Sequence, residues 1–500
     1  MMEERSNGEF GFWRRLLWPV RAEETLKVGL LFGLLFFLCM SYSVMRNMKD
    51  TLLLTAGGAG AEALPFLKLW GMLPGALIAT WIVTQLSKRC SRKGRFFRIL
   101  GFYTLYYLLF AFILFPMRDQ LVLSSFGATL TQLLPAGCKG LIAIIANWNI
   151  SIFFVVTELW GSVVLAILYW GWANELFSID EAKRTYGILN LSSNIAPLFG
   201  ALAASLIAAP WLTSIFEVDR WEGTLIQVTL LVCSFCCISM FLFHRLCKLF
   251  PGKAAEVIQG SDEKKRPIGV RTALRLLARD PYLLSIATVL IGYNVTINLT
   301  DLMWKDQLHR ALKDPILILE HMNLITMGIG VFATIGALAF AAMMRRCGWT
   351  FVAMITPIVM ASLGITFFSL RLGFAPHIAF LGLTPALLAL YCGSLQNCLS
   401  KACKYSVFDA TKEMTFLPLD SNTRSIAKSA IDGLGSSVGK SGASVLSQGF
   451  IVLCGGLAAS TPWIGCTVMV VLVAWIFATL KLGRAVEEKQ ASYMATETTS

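Results

Sequence analysis

Charge is what this sequence has least of. Only 15% of its 500 residues are Asp, Glu, Lys or Arg, and 56% are hydrophobic. Soluble domains carry about 25% charged and about 45–50% apolar residues. The scarcity excludes a string of soluble domains and a disordered chain. Histidine is scarce as well. The four, His244, His309, His321 and His377, fall at the ends of apolar segments or in loops, which argues against a buried imidazole proton relay. No disulfide framework is visible among the thirteen cysteines, so a disulfide-rich secreted protein is excluded too. Cys39, Cys233, Cys236, Cys237, Cys398 and Cys454 read as small apolar residues. Cys233-Ser234-Phe235-Cys236 lies inside an apolar helix without the second pair that structural zinc needs.

What is abundant is long apolar runs, recurring from Lys27 to Lys481 and giving a mean hydropathy of +0.66. A spanning helix needs about 20 such residues, and twelve segments qualify. They are Val28–Met45, Leu64–Leu86, Phe97–Phe115, Asn149–Trp172, Leu189–Ala209, Leu225–Phe243, Tyr282–Trp304, Leu324–Met344, Phe351–Leu370, Ile378–Leu399, Ala430–Leu457 and Gly465–Leu482. They are too long and too uniformly apolar for barrel strands, so the expected fold is an all-α polytopic membrane protein.

The net charge of +13 would suggest nucleic acid in a soluble protein. Here topology accounts for it. With both termini cytoplasmic, the inner segments hold 32 of the 43 Lys and Arg and the outer loops hold six, as the positive-inside rule requires. The remaining five, Arg46, Lys49, Lys68, Lys305 and Lys440, lie within or at the ends of spans. The expected organisation is a cytoplasmic tail over 1–27, a six-helix half over 28–244, a polar linker over 245–281, a second half over 282–482 and a tail over 483–500. The linker carries Gly252-Lys253-Ala254-Ala255 and Asp262-Glu263-Lys264-Lys265-Arg266. Residues 119–134 suit an amphipathic helix on the outer surface. The tail before Thr25 holds no cleavable signal.

The halves repeat. Lys49-Asp50-Thr51-Leu52 closes the first span and Lys305-Asp306-Gln307-Leu308 closes the seventh. Asp180 to Arg184 precedes a small-residue helix with Gly200. Asp420 to Arg424 precedes one with Gly435, Gly439 and Gly442. Two six-helix units related by an axis along the membrane normal are the major-facilitator plan.

Ionisable groups inside spans cost at least ~2.5–3.5 kcal/mol each at the helix centre, so they mark a cavity or a partner. Arg46 and Lys49 share one helical face. Glu158 lies deep in the fourth span, too short to snorkel. Asp301 and Lys305 are four apart near the end of the seventh, with Asn298 and Asn294 on the preceding turns. Lys440 lies in Gly439-Lys440-Ser441-Gly442, which is not a Walker loop: Leu434 stands where glycine is needed and no strand precedes it. Lys428 is its rival. Each has a plain structural reading as well: snorkelling cations, or the i,i+4 pair Asp301–Lys305. Several cations against few carboxylates suit a polyanion, with Arg for bidentate phosphate contact and Lys for point charge. Trp160 and Tyr293 are candidates to stack on a base. No catalytic constellation, metal cluster or cofactor motif is visible, so the chain reads as a transporter rather than an enzyme. A membrane enzyme acting on a lipid phosphate would need catalytic groups gathered at one face.

At these residues the chain resembles the nucleotide transporters, or ATP/ADP translocases, of obligate intracellular bacteria and plastids, and is most similar to the chlamydia-like branch. The likeness rests on Pro65-Phe66-Leu67-Lys68-Leu69-Trp70-Gly71, Glu158-Leu159-Trp160-Gly161-Ser162, Asp180-Glu181-Ala182-Lys183-Arg184 and Trp304-Lys305-Asp306-Gln307. It continues with Lys404-Tyr405-Ser406-Val407-Phe408-Asp409, Thr411-Lys412-Glu413-Met414, Pro418-Leu419-Asp420 and Gly439-Lys440-Ser441-Gly442. The resemblance implies exchange of ATP for ADP plus phosphate, or proton-driven nucleotide import, by a monomer in a bacterial inner membrane. It implies transport roles for Lys49, Glu158, Asp301 and a lysine near the eleventh span, Lys440 first and Lys428 second. One residue departs: where the family usually has Glu three residues before Trp-Lys, this chain has Asp301.

Overall fold

The structure, a computed structural model, describes residues 22–58, 60–177, 179–208, 219–250, 280–373, 382–419 and 421–497. Every regular element among them is helical. The helices are α1 (Ala22–Thr55), α2 (Gly60–Arg89), α3 (Arg92–Leu114), α4 (Ser124–Leu133), α5 (Lys139–Ala146), α6 (Trp148–Leu176), α7 (Ile179–Ile207), α8 (Arg220–Leu249), α9 (Pro281–Ala311) and α10 (Pro315–Arg371). Then follow α11 (Pro385–Cys403), α12 (Asp409–Met414), α13 (Ser421–Lys428), α14 (Ser436–Cys454) and α15 (Leu457–Glu497). Among the described residues, nine helices are long and apolar enough to cross a membrane. One of these, α10, is two helices meeting at Gly348, whose φ of 76° breaks the ladder. It carries both the eighth and the ninth expected spans, while the tenth and eleventh fall on α11 and α14. Most of the expected linker, including its charged stretches, lies outside the described residues. The expected surface helix over 119–134 is two pieces, Arg118–Leu121 and α4.

Helix starts follow local chemistry. Asp280, Asp314 and Thr384 each accept a backbone N–H of the first turn, and a proline follows each. A capping side chain plus a proline that needs no partner for its missing N–H is a strong start signal. At the other end, Gly455 closes α14 in the left-handed conformation, φ 80°.

Several helices overrun their hydropathy limits. Helix α1 continues past Met45 to Thr55, and α9 past Trp304 to Ala311. The helix begun by α11 continues through a wide π-helical turn, Lys404–Phe408, into α12. Lysines and aspartates that would mark loops by polarity are thereby held on helices.

By packing, the chain divides into two units. The first comprises Met1–Asp50, Pro74–Leu121 and Phe153–Lys265; the second comprises Thr51–Leu73, Val122–Ile152 and Arg266–Ser500. In the first, α1 is fully engaged. Its carbonyls at Leu38, Leu31 and Phe32 accept hydrogen bonds from Trp160 Nε1 (3.2 Å), the Tyr169 hydroxyl (3.1 Å) and Ser192 Oγ (2.9 Å). In the second, α9 plays that part. Its Tyr282 hydroxyl donates to the Thr415 carbonyl (2.7 Å), and Trp304 Nε1 donates to Ser394 Oγ (2.9 Å).

In each unit a small-residue helix lies against this central one. A Cβ at Gly200 of α7 would meet the Met40 carbonyl oxygen of α1 at 3.1 Å, and one at Gly439 of α14 would meet Asn294 Cβ of α9 at 2.7 Å. Glycine there lets backbones approach closely. Gly442 faces open space. Gly439→Val should therefore destabilise the protein by about 1–3 kcal/mol, seen as a lower melting temperature in detergent, while Gly442→Val should melt like the parent. Equal melting of the two variants would refute the close approach.

Candidate functional site

Two clusters of buried charge stand out, one in each unit. In the first, Lys49 is 2% exposed. Its Nζ lies 2.7 Å from Asp50 Oδ1 and 3.1 Å from Glu158 Oε2, and 3.8 Å from the centroid of the Phe154 ring. Phe154 and Glu158 are one turn apart on α6, so one helical face supplies both the aromatic face and the carboxylate. The aromatic quadrupole and two carboxylates offset the loss of solvation of the ammonium. Glu158 is the open member, with a side chain 33% exposed against 3% for Lys49. Just beyond it, α6 widens into π-helical turns over Gly161–Trp170, a distortion common at functional sites. Arg46, one turn before Lys49 on α1, is half-buried.

In the second unit the cluster centres on Asp301, which is 7% exposed. Its Oδ2 lies 2.9 Å from Lys305 Nζ. Its Oδ1 lies 3.0 Å from Lys401 Nζ and accepts Asn397 Nδ2 at 2.8 Å. One turn before it, Asn298 donates its amide N–H to the Asn294 carbonyl (2.8 Å) and accepts Lys68 Nζ on its oxygen (3.2 Å). Lys68 sits in a π-helical turn of α2, Leu67–Gly71. Lys68, Asn298 and Asp301 line one small cleft with Pro65, Ser444 and Ser447. Next to the cluster, Asn397 Oδ1 and Ser400 Oγ are buried without a hydrogen-bond partner among the described residues. Asp306, the other aspartate of the repeated Lys-Asp pair, is committed elsewhere. It binds Arg310 Nε (2.7 Å) and Arg371, which also donates to Gln307 Oε1 (3.1 Å) and the Met303 carbonyl (3.2 Å).

The remaining sequence candidates are placed differently. Lys440 is exposed on α14, one turn from the Ser444 that lines the cleft. Lys428 joins another network: it pairs with Glu413 (2.6 Å), which pairs with Lys412 (3.3 Å), which pairs with Asp432 (2.7 Å). Trp160 is 1% exposed and packs edge-on to Tyr103. Tyr293 is 2% exposed, stacked on Phe408 and edge-on to Trp475. Both rings are spent on packing. His321 is half-buried rather than at a loop, with Nε2 2.7 Å from Ser394 Oγ.

Lys401, Asn397 and Phe154 were not among the sequence candidates, and Lys68 was counted only as a span residue. A signal existed for two of them. Ser394, Asn397 and Lys401 recur at helical spacing, a polar stripe on an apolar helix, obscured because the stripe runs past the hydropathy limit at Leu399.

Comparison with known proteins adds three findings. The family model described as TLC ATP/ADP transporter matches residues 3–486. ADP,ATP carrier protein 1 of Chlamydia trachomatis is 34% identical over 492 residues, covering 97% of this chain and 93% of that protein. The chloroplastic ADP,ATP carrier protein 1 of Arabidopsis thaliana is 34% identical, covering 92% of this chain and 74% of that protein. Among solved structures, the nucleoside transporter NupG aligns with a TM-score of 0.51 at 14% identity, covering 91% of this chain and 99% of that one. A bacterial metal transporter aligns at 0.52 and 13%, covering 91% and 98%. At such identity the likeness speaks for the fold alone, a helical transporter fold shared with these structures.

The Lys49–Glu158 contact is testable without any cargo. Lys49→Met should lower stability by on the order of 1–3 kcal/mol, because it leaves carboxylates facing an apolar pocket. Adding Glu158→Gln should return part of that loss in a double-mutant cycle of melting temperatures. Strict additivity would show that the two side chains do not interact.

Proposed function

The chain belongs to the TLC ATP/ADP transporter family, and from that premise we propose that it exchanges external ATP for internal ADP by alternating access. The observation that carries this reading is the pair of buried lysine–carboxylate contacts, Lys49–Glu158 and Lys305–Asp301. A buried ammonium needs an anion, and the γ- and β-phosphate oxygens of a nucleotide serve as well as a carboxylate. Lys49 and Arg46 in the first unit, and Lys305 and Lys440 in the second, are the proposed cationic contacts for nucleotide. Glu158 and Asp301 hold Lys49 and Lys305 when no nucleotide is bound, and Asn298 supplies a neutral contact. Gradients of the two nucleotides drive the exchange, with no hydrolytic step. Residues 28–244 and 282–482 are the two halves that rock against each other, joined by the segment 245–281. In this reading the protein works as a monomer in a bacterial inner membrane with both termini in the cytoplasm, where the excess of basic residues lies.

The test uses purified protein in liposomes preloaded with ADP, with ATP or with buffer. Labelled external ATP should enter vesicles that hold nucleotide and enter empty ones far more slowly, with or without a proton gradient. Proton-driven uptake into empty vesicles would overturn the exchange. Lys49→Ala should lower the uptake at least roughly tenfold, the loss of one ~1.4 kcal/mol charge-assisted contact, with membrane insertion intact. Parental uptake by that variant would remove Lys49 from the site.

A further inference from the structure

We propose that Asp301 is an internal stand-in for the nucleotide's phosphates, and that Lys305 and Lys401, which it holds, together with Lys68 across the cleft, become phosphate ligands when the nucleotide displaces it. The proposal deepens the exchange reading and rests on it for the identity of the cargo.

Two ammonium groups contact this one carboxylate, and a third, that of Lys68, lines the same small cleft and contacts Asn298. Lys305 is on α9, Lys401 on α11 and Lys68 on α2, and the first two contact opposite oxygens of Asp301 at 2.9 and 3.0 Å. A carboxylate and a phosphate offer an ammonium the same kind of acceptor, so either can sit between these lysines. The anchoring is unequal. Asp301 has a short side chain, and Asn397 Nδ2 fixes it at 2.8 Å from a fully buried position. The lysines end in compact ammoniums on flexible four-carbon stems, and Lys401 keeps 21% of its side chain exposed. Lysines able to swing around a fixed carboxylate can change partner without any helix moving.

A small cleft and further hydroxyls lie nearby. Small residues of α14, Ala443, Ser444 and Ser447, face the cleft that Lys68 and Asp301 line. Ser400, next to Lys401, keeps a buried hydroxyl without a partner among the described residues.

A stand-in competes with the cargo, which separates this arrangement from a static ion pair. Binding is measured on the purified full-length protein for ATP, ADP, adenosine and inorganic tripolyphosphate, with melting temperatures as the check on folding. Lys401→Gln should weaken ATP and tripolyphosphate at least roughly tenfold and leave adenosine unchanged, and Lys401→Arg should restore most of the loss. Asp301→Asn should tighten ATP several-fold and slow the exchange in liposomes, because the bound nucleotide is no longer displaced. The proposal is overturned if Lys401→Gln leaves ATP affinity intact, or weakens adenosine as much as ATP. It is equally overturned if a folded Asp301→Asn variant binds ATP more weakly. A parent protein that binds tripolyphosphate through Lys401 but neither binds nor exchanges ATP would sink the nucleotide reading and leave the phosphate ligands standing.

Discussion

A charge taken out of water must meet an opposite charge, and in this protein that rule decides which helix faces lie together. Lys49 can be 2% exposed because Asp50 beside it and Glu158 and Phe154 on α6 face its ammonium. Asp301 can be 7% exposed only because Lys305 and Lys401 reach it from α9 and α11. Breaking such a pair costs several kcal/mol, since one partner is left buried alone. Each pair therefore sets the rotation of its helices about their own axes. The same pairs are the natural point of attack for an anionic cargo, which offers the lysine a partner as good as the one it leaves.

Around these charges the packing is firm. Three buried aromatic residues use their single polar atom to bind across helices: Trp160 to the Leu38 carbonyl, Tyr169 to that of Leu31, and Trp349 to that of Thr411. Each is a large apolar body tied at one point. Gly200 and Gly439 bring α7 onto α1 and α14 onto α9 at backbone distance. Two halves of the sequence solve the same problem in the same order, with a small-residue helix against a helix that carries Lys-Asp. The resolution differs in detail. Lys49 takes one carboxylate, Asp50, from its own helix and another, Glu158, from α6, while Lys305 takes Asp301 from its own, and Asp306 goes to Arg310 and Arg371.

The positions of the apolar helices were legible because hydropathy over some twenty residues is a property of composition. Their ends were less so, because hydropathy stops at the first charge and these helices do not. Lys401 illustrates the consequence. Counted by sequence as an inner-loop residue, it sits on a helix that continues past it, against Asp301. The aromatic candidates erred in the other direction. Nothing in a sequence separates a tryptophan that lines a cavity from one that fills a core, and Trp160 and Tyr293 fill cores. Lys440, ranked before Lys428 by sequence, is exposed on α14, while Lys428, exposed as well, is bound to Glu413.

By itself, the amino-acid sequence determined that the chain is helical and membrane-spanning, that it carries a repeat, and that a few charges lie where charge is costly. Each of these follows from local composition, which one strand of chain carries unaided. Only the tertiary structure decided which charge answers which, because partners such as Lys49 and Glu158, or Asp301 and Lys401, lie about a hundred residues apart (|i−j| is 100 for the latter). Pairing at that distance depends on how helices turn and dock, and that is settled jointly by every buried contact rather than by any stretch of sequence.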